Sequence, residues 1–144
     1  MRISTKGRYG LRAIIDLCLN SNGDYVSLIS IAERQDISKN YLEQVFSALR
    51  KSNIVKSVKG SQGGYLINGK TSEIIVGDIL RALEGDLSAV KDDETNKNNK
   101  IDLCIKKNLW DKIDKMVFEF IDNMTLEDLI NEYHKGNDAL MYYI

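Results

Sequence analysis

The clearest hydrophobic pattern in the chain follows Ser38, where apolar residues recur with the period of an α-helix. The apolar positions are Tyr41 or Leu42, Val45, Phe46 and Leu49. This spacing places them on one face of a helix. The hydroxyl of Ser38 can accept hydrogen bonds from the free amides of a first turn, so a helix is expected to begin there.

The other side of this predicted helix is polar and includes three basic residues. It carries Lys39, Asn40, Glu43, Gln44, Arg50 and Lys51. Side chains of these types can contact base edges and phosphates when a helix lies in a major groove. The pattern therefore predicts a DNA-reading helix.

A shorter amphipathic pattern precedes it, from Ser27 to Gln35, with Leu28, Ile31 and Ala32 on the apolar side. Only Asp36 and Ile37 separate this segment from the Ser38 cap. Two helices joined by so tight a link are typical of a helix-turn-helix.

A β-hairpin is predicted directly after the second helix. Residues 54–59 alternate between apolar and polar, which is a strand signal. The glycines of segment 60–64 can adopt the positive φ angles of a tight turn, and Tyr65–Ile67 returns as the second strand. We therefore predict a winged helix-turn-helix, in a mainly α-helical fold with a small β-hairpin wing. The alternative is an ordinary helical hairpin with a solvated polar face.

Helices are also predicted on both sides of this unit. A first helix covers Ser4–Asn20, and a short helix covers Val76–Leu83 and ends at Gly85. Residues 91–100 are polar and aperiodic, which predicts a mobile loop. Thr125 and Asp128 resemble a capping box that opens a last helix, expected to end near Tyr133 because Gly136-Asn137 follows.

The longest predicted helix, Asp102–Met124, has a broad apolar stripe. Its members include Leu109, Trp110, Ile113, Val117 and Phe120. A winged helix of this size could bury only part of such a stripe, so we expect these residues to pack against a second copy of the chain. The alternative is a helix that covers only its own domain. The expected organisation is a DNA-binding domain (1–85), a flexible loop (86–102), and a dimerisation helix with a C-terminal helix and tail (103–144).

The uneven distribution of charge along the chain changes the interpretation of its net charge of −1. Residues 1–70 contain 11 Lys/Arg and 5 Asp/Glu, a net of +6, whereas residues 71–144 contain 9 and 16, a net of −7. The basic half coincides with the predicted DNA-binding unit, so the near-neutral total does not argue against nucleic acid. Neither a signal peptide nor a membrane-spanning run is apparent, and two cysteines are too few for a disulfide framework. We expect a cytoplasmic protein.

Residues that could support other chemistry are few. His134 has no metal-ligand spacing and no neighbouring nucleophile, so no enzyme site is predicted. Cys18 lies on an apolar helix face and is expected in the core. Cys104 follows the predicted loop; it is either an oxidant-sensing thiol assisted by Lys106 and Lys107 or an incidental exposed cysteine.

Several motifs together resemble the Rrf2 family of transcription regulators. They are MRISTKGRYG (1–10), YLEQ (41–44), LRK (49–51), KGSQGGY (59–65) and GDILRALEG (77–85). The resemblance covers nearly the whole chain. It implies a homodimeric winged helix that binds palindromic double-stranded DNA, with a long dimerisation helix.

The resemblance also implies particular DNA contacts. Asn40, Glu43 and Gln44 would face base edges, and the wing tip around Lys59, Ser61 and Gln62 would enter the minor groove. Phosphate contacts are expected from basic residues and one tyrosine, namely Arg2, Lys6, Arg8, Lys39, Tyr41, Arg50, Lys51 and Lys59.

Many family members bind an iron–sulfur cluster through three cysteines in the loop before the dimerisation helix. In this chain the corresponding segment, 86–104, contains only Cys104, and Lys107 stands where a histidine ligand would fall. Because such clusters need three or four protein anchors, no cofactor is expected.

The C-terminal part most resembles the cluster-free repressors of cysteine metabolism within the family. That resemblance implies a co-repressor, the cysteine synthase CysK (O-acetylserine thiol-lyase), which as a family accepts a partner's C-terminal isoleucine. Tyr142, Tyr143 and Ile144 are the expected contact, fitting capture of a terminal carboxylate; the alternative is that they only pack on the last helix. Two rival functions stay open: a redox sensor acting through Cys104, and a protein-interaction module with vestigial DNA binding.

Overall fold

The computed structural model describes the backbone of residues 1–61 and 63–142, and their side chains up to residue 138. Its helices and strands follow in chain order: α1 (Thr5–Asn20), α2 (Leu28–Gln35), α3 (Lys39–Lys51), β1 (Val55–Val58), β2 (Gly64–Ile67), α4 (Val76–Glu84), α5 (Lys100–Ile105), α6 (Asp111–Asp122) and α7 (Leu126–Tyr142). Short 3₁₀ turns cover Thr71–Glu73 and Asp92–Glu94. The predicted fold class, mainly helical with a small β-hairpin wing, is confirmed.

Three serines begin the three helices of the DNA-binding unit. The hydroxyls of Ser4, Ser27 and Ser38 each accept a hydrogen bond from the backbone amide three residues later. The inward faces of these helices form one core that is fully closed to solvent at Ile14, Ile31, Leu42, Phe46 and Leu49, among others. All three helices begin within one residue of the predicted starts.

The wing is an antiparallel hairpin in which Val55 pairs with Ile67 and Val58 pairs with Gly64. Residue 26 adds an isolated bridge to β2, since the Val26 and Tyr65 amides each donate to the other's carbonyl (2.9 and 2.8 Å). This bridge fixes the wing beside the start of α2. Val55 takes the inward position at the start of β1, whereas Val58 at its end is 45% exposed.

Glu84 joins the end of α4 to the start of α1. Its Oε1 accepts from the Ser4 amide (2.9 Å), the Ser4 hydroxyl (2.6 Å) and the Gly7 amide (3.0 Å). A carboxylate is favoured at this end of a helix by the helix dipole and the free amides. Gly7 leaves room for this contact, because a Cβ there would displace the Glu84 carboxylate from its present position.

The long helix differs from the prediction in its start and in its regularity. It begins at Lys100, two residues early, because the Asn99 side chain accepts from the amides of Ile101 and Asp102 (both 3.0 Å). It then passes through a π-helical turn, Lys106–Trp110, before continuing as α6. The preceding loop is tied to it by two amide donations, Ala89 to Asp114 (2.8 Å) and Asn96 to Asp102 (2.7 Å).

The last helix is longer than predicted. Its capping box is confirmed, with Thr125 and Asp128 exchanging hydrogen bonds at 2.9 and 3.1 Å. The expected end near Tyr133 was wrong, since α7 continues through Gly136 and Asn137 to Tyr142. Neither residue forbids a helix; each only weakens it, and nothing in the chain after Tyr133 supplies a proline stop. Among the described residues, no helix is long and apolar enough to cross a membrane.

Arg81 of α4 and Asp122 of α6 fix the long helix against the DNA-binding unit. The guanidinium donates to both carboxylate oxygens, at 2.7 and 2.9 Å, and lies 5.2 Å from the Phe118 ring centroid. Gly77 makes room for this pair, because a Cβ at that position would collide with Asp122. Beneath the pair lies a second core of Val76, Leu80, Leu87 and Ile121.

The Arg81–Asp122 pair predicts a specific pH dependence of stability. The hydrogen bond from Arg81 holds the pKa of Asp122 below its ordinary value. The carboxylate therefore stabilises the fold above the unfolded-state pKa of about 3.9, and this contribution is lost as the pH falls through the lower folded-state value. Since the side chains are 36% and 40% exposed, its size should be about 1 kcal/mol or less.

We expect Asp122→Asn to lower the free energy of unfolding at neutral pH, and its difference from the wild type to disappear as the pH falls through the lowered folded-state pKa of Asp122. Urea denaturation at a series of pH values measures this, with exposed Asp93→Asn as the control. A destabilisation that stayed constant down to pH 2 would contradict the ion-pair explanation.

Candidate nucleic-acid interface

Helix α3 turns its predicted reading face to solvent. Lys39, Asn40, Glu43, Gln44 and Arg50 are exposed, while the opposite side of the helix is buried in the core. Lys39 and Glu43 lie one turn apart and form an ion pair at 3.6 Å. Because both side chains are more than half exposed, the ion pair contributes little to stability, and each side chain can exchange this contact for another. Lys51, also exposed, follows at the end of the helix.

A groove of about 610 Å³ separates α3 from the wing. Lys39, Glu43 and Arg50 line its helix side, and Lys59 and Ser61 line its wing side. The structure thus brings together residues that were predicted on two separate elements. Gln62, the other predicted base contact, lies outside the described residues.

The basic residues of α1 lie around an aromatic cluster. The Tyr9 ring packs edge-on against Tyr41 of α3, with centroids 6.1 Å apart, and the Arg8 and Arg12 guanidinium groups lie 5.8 and 5.0 Å from its centre. Tyr41 is half-buried by this contact, so only part of its ring is available for a phosphate. Tyr9 was not among the predicted contacts, although an arginine one residue before it and another three residues after it mark a basic, aromatic helix surface.

Other predicted phosphate contacts are placed differently. Arg8 is exposed and Lys6 is half-buried on the first turns of α1. Arg2 lines a separate depression beside Glu84, Asp86 and Glu94, so it does not lie in the groove between α3 and the wing. Its surroundings are acidic, which weakens a phosphate-binding role relative to Lys39, Arg50 and Lys59.

The predicted dimerisation residues divide into two groups. Leu109, Ile113 and Phe120 are 47%, 37% and 65% exposed, and Met116, which was not among the predicted dimer contacts, is 73% exposed. Their spacing of four, three and four residues places them on one outward ridge. Trp110 is half-buried, and Val117 packs against the second core of its own chain.

The cysteines do not form a cluster site. Cys18 is half-buried on α1, where burial raises the pKa of its thiol to about 12 and makes it inert. Cys104 is exposed, with the Asn108 amide 3.5 Å from its Sγ. The nearby Lys106 ammonium lies 2.8 Å from Asp111, a hydrogen bond that raises the pKa of the lysine and compensates its charge.

An iron–sulfur cluster does not fit this donor set. The sequence has two cysteines in all, and one of them packs against the core from α1. Among the described residues, no group of three or more His, Cys, Asp or Glu side chains is arranged to hold a metal ion.

A basic recognition helix next to a β-hairpin wing defines a DNA-binding protein of the winged helix-turn-helix class. Residues 3–132 match the Rrf2 family, described as iron-dependent transcriptional regulators. The chain is 41% identical to the HTH-type transcriptional regulator CymR of Bacillus subtilis, over the whole of both chains. It is 39% identical to the regulator IscR of Pectobacterium atrosepticum, covering 96% of this chain and 85% of IscR. The chain therefore belongs to the Rrf2 family of transcriptional regulators.

Solved structures agree with the sequence relationship. The structure of CymR, described as the global cysteine regulator of B. subtilis, superposes with a TM-score of 0.78 over 92% of this chain and 98% of that one, at 40% identity. The oxidized form of Staphylococcus aureus CymR superposes with a TM-score of 0.69 at 38% identity, over 90% of this chain and 96% of that one. These relatives are transcriptional regulators rather than enzymes.

We expect Glu43→Ala to broaden the DNA sequences bound more than it weakens binding. A carboxylate in the major groove can accept from cytosine N4 but repels phosphate, so its removal should relax discrimination at one position by about 1–3 kcal/mol. The variant also frees Lys39 from its ion pair. Affinity selection over randomised duplexes measures the outcome, with exposed Glu127→Ala on α7 as the control. An unchanged binding motif would rule out base reading by Glu43.

Proposed function

We propose that this protein is a dimeric repressor of genes for cysteine and sulfur metabolism, with the cysteine synthase CysK as its co-repressor. The observation that carries the DNA-binding part is the single groove in which basic residues of α3 face a basic residue of the wing. The metabolic part rests on the similarity to CymR over the full length of both chains.

In this proposal α3 lies in a major groove and the wing lies in the adjacent minor groove. Asn40, Glu43 and Gln44 contact base edges, and Ser61 and Gln62 enter the minor groove. The cations of α3, the wing and α1 hold phosphates, namely Lys39, Arg50, Lys51, Lys59, Lys6 and Arg8, with a smaller role for Tyr41 and Arg2. Replacing any one of these phosphate-binding side chains should weaken binding to all sequences alike.

The outward ridge of Leu109, Ile113, Met116 and Phe120 is the proposed dimer contact. These side chains are exposed over more than a third of their surface in the single chain. A run of apolar side chains along three helical turns is more than a monomer usually leaves in water. A two-fold dimer through this ridge would present two α3 helices to a palindromic operator.

We expect Phe120→Glu to convert a dimer into a monomer, because a charge in an apolar contact is strongly unfavourable. Sedimentation equilibrium measures the mass, and Tyr133→Glu, at an aromatic on α7 that is 49% exposed, is the matched control. In Phe120→Glu, the affinity for a palindromic duplex should fall to the affinity for a half-site duplex. A wild-type chain that sediments as a monomer at micromolar concentration would exclude the dimer.

The proposed CysK contact is the segment Tyr142–Ile144. Tyr142 ends α7, and Tyr143 and Ile144 lie outside the described residues. Along α7 every side chain from residue 131 to residue 138 is exposed, so this part of the helix is open to a partner. An apolar segment with two tyrosines suits recognition in a partner's cleft.

We expect CysK to tighten binding of the protein to a palindromic sulfur-gene promoter duplex, and O-acetylserine to reverse this effect. Fluorescence anisotropy at two salt concentrations measures it, since affinity without its salt dependence cannot be interpreted. Removing Tyr143 and Ile144 should abolish the CysK effect without changing binding of the protein alone. A different result would favour the redox alternative that the exposed Cys104 thiol allows. In that case CysK would not change specific DNA binding, and oxidant would weaken it in the wild type but not in Cys104→Ser.

A further inference from the structure

The groove between α3 and the wing has to accommodate part of the DNA if the proposed function is correct. The major and minor grooves of a duplex are separated by one sugar–phosphate strand. A protein that inserts a helix into one groove and a hairpin into the next must therefore straddle that strand. In this protein the space between the two elements is the groove lined by Lys39, Arg50 and Lys59.

Two exposed aliphatic side chains lie in the same groove. Ile29, at the start of α2, is 53% exposed, and Val58, at the end of β1, is 45% exposed. Among the described residues before the long helix, the exposed large apolar side chains are Met1, Ile29 and Val58. Two of these three thus share one groove, whereas the other large apolar residues that the structure describes in the DNA-binding unit are buried or half-buried.

The architecture explains why these two residues are adjacent. The hydrogen bonds between Val26 and Tyr65 hold the start of α2 beside β2, and β2 pairs with β1 so that Val58 faces Gly64. A Cβ at Gly64 would collide with the Val26 carbonyl, so glycine is what allows this close approach. Ile29 and Val58 are therefore positioned by fixed backbone contacts rather than left exposed on a loop.

We propose that Ile29 and Val58 form an apolar contact for the deoxyribose rings of the DNA strand that runs through this groove, while Lys39, Arg50 and Lys59 hold its phosphates. The charge of the groove supports this occupant: three cations are opposed by Glu43 alone, which is itself paired with Lys39. A sugar–phosphate strand alternates anionic and apolar surface, so it matches a groove with both kinds of side chain. The inference rests on the proposed function and adds a binding role to two residues outside the recognition helix.

The test separates apolar contact from electrostatic contact. We expect Ile29→Ala and Val58→Ala each to weaken binding about fivefold, from the loss of roughly half a buried aliphatic side chain. The loss should be equal for an operator duplex and an unrelated duplex, and the slope of log affinity against log salt should not change. Lys59→Ala should instead reduce that slope by about 1.

A gain-of-charge variant provides the second arm. Val58→Lys should steepen the salt slope by about 1, since the new ammonium would lie beside the strand. Ile101→Ala, which removes an exposed aliphatic side chain on the acidic half of the chain, should leave both affinity and slope unchanged. Circular dichroism of each variant checks that the fold is kept.

Several outcomes would overturn the inference while leaving the proposed function standing. One is a wild-type affinity for both Ile29→Ala and Val58→Ala, and another is an unchanged salt slope for Val58→Lys. A third is a loss of affinity that is confined to one operator position and disappears when deoxyuridine replaces thymidine there. The last result would show a contact with a thymine methyl group instead of deoxyribose. Failure of the wild-type protein itself to bind duplex DNA in a salt-dependent manner would contradict the proposed function.

Discussion

The buried carboxylate of Asp16 determines how the helix-turn-helix is assembled. It is 4% exposed, the one buried charged residue among those the structure describes, and it accepts from Arg34 at 2.7 and 3.0 Å and from Gln35 at 2.9 Å. All three donors lie on α2, so a single side chain of α1 fixes the orientation of that helix. Because the Arg34 side chain is 37% exposed, the pair adds little net stability, but losing its donors would leave a buried carboxylate short of partners. The main effect of the Asp16–Arg34 pair is therefore to fix the orientation of α2. Helix α2, together with the tight turn at Asp36, then fixes the position of α3.

Charge and packing divide the molecule into the same two parts. The first half of the chain has a net charge of +6 and supplies α3 and the wing; the second half has a net charge of −7 and supplies the long helix and α7. An acidic surface at the far end repels phosphate, so it favours approach of DNA to one side only. The two parts are coupled through Arg81 and Asp122, which lie outside the groove between α3 and the wing. The direction of the long helix thus depends on this pair, on the backbone bridge between Ile75 and Thr125, and on the small apolar core that includes Leu80 and Ile121.

Local patterns were sufficient to predict the DNA-binding unit from the sequence. The serine caps and the apolar periodicity of α3 are signals contained within single elements, and the structure keeps them. The features that escaped prediction depend on contacts between elements. Glu84 capping α1 joins residues 80 positions apart, and the exposure of Val58 depends on which face of the hairpin meets the core. The continuation of α7 past Gly136 shows the limit of breaker residues as signals, because a weak helix former cannot end a helix by itself.

The π-helical turn at Lys106–Trp110 divides the long helix into two stretches that differ in phase. A π turn contains one residue more than an α turn would, and one residue corresponds to a rotation of about 100° about the axis. Side chains of α5, including Cys104, therefore face a different direction from the one an uninterrupted helix would give them relative to Phe120. The turn accommodates one extra residue without breaking the helix. The turn thus re-aims α5 together with Asp102, while Asp114 and the ridge residues Ile113, Met116 and Phe120, which follow it, keep the phase of α6.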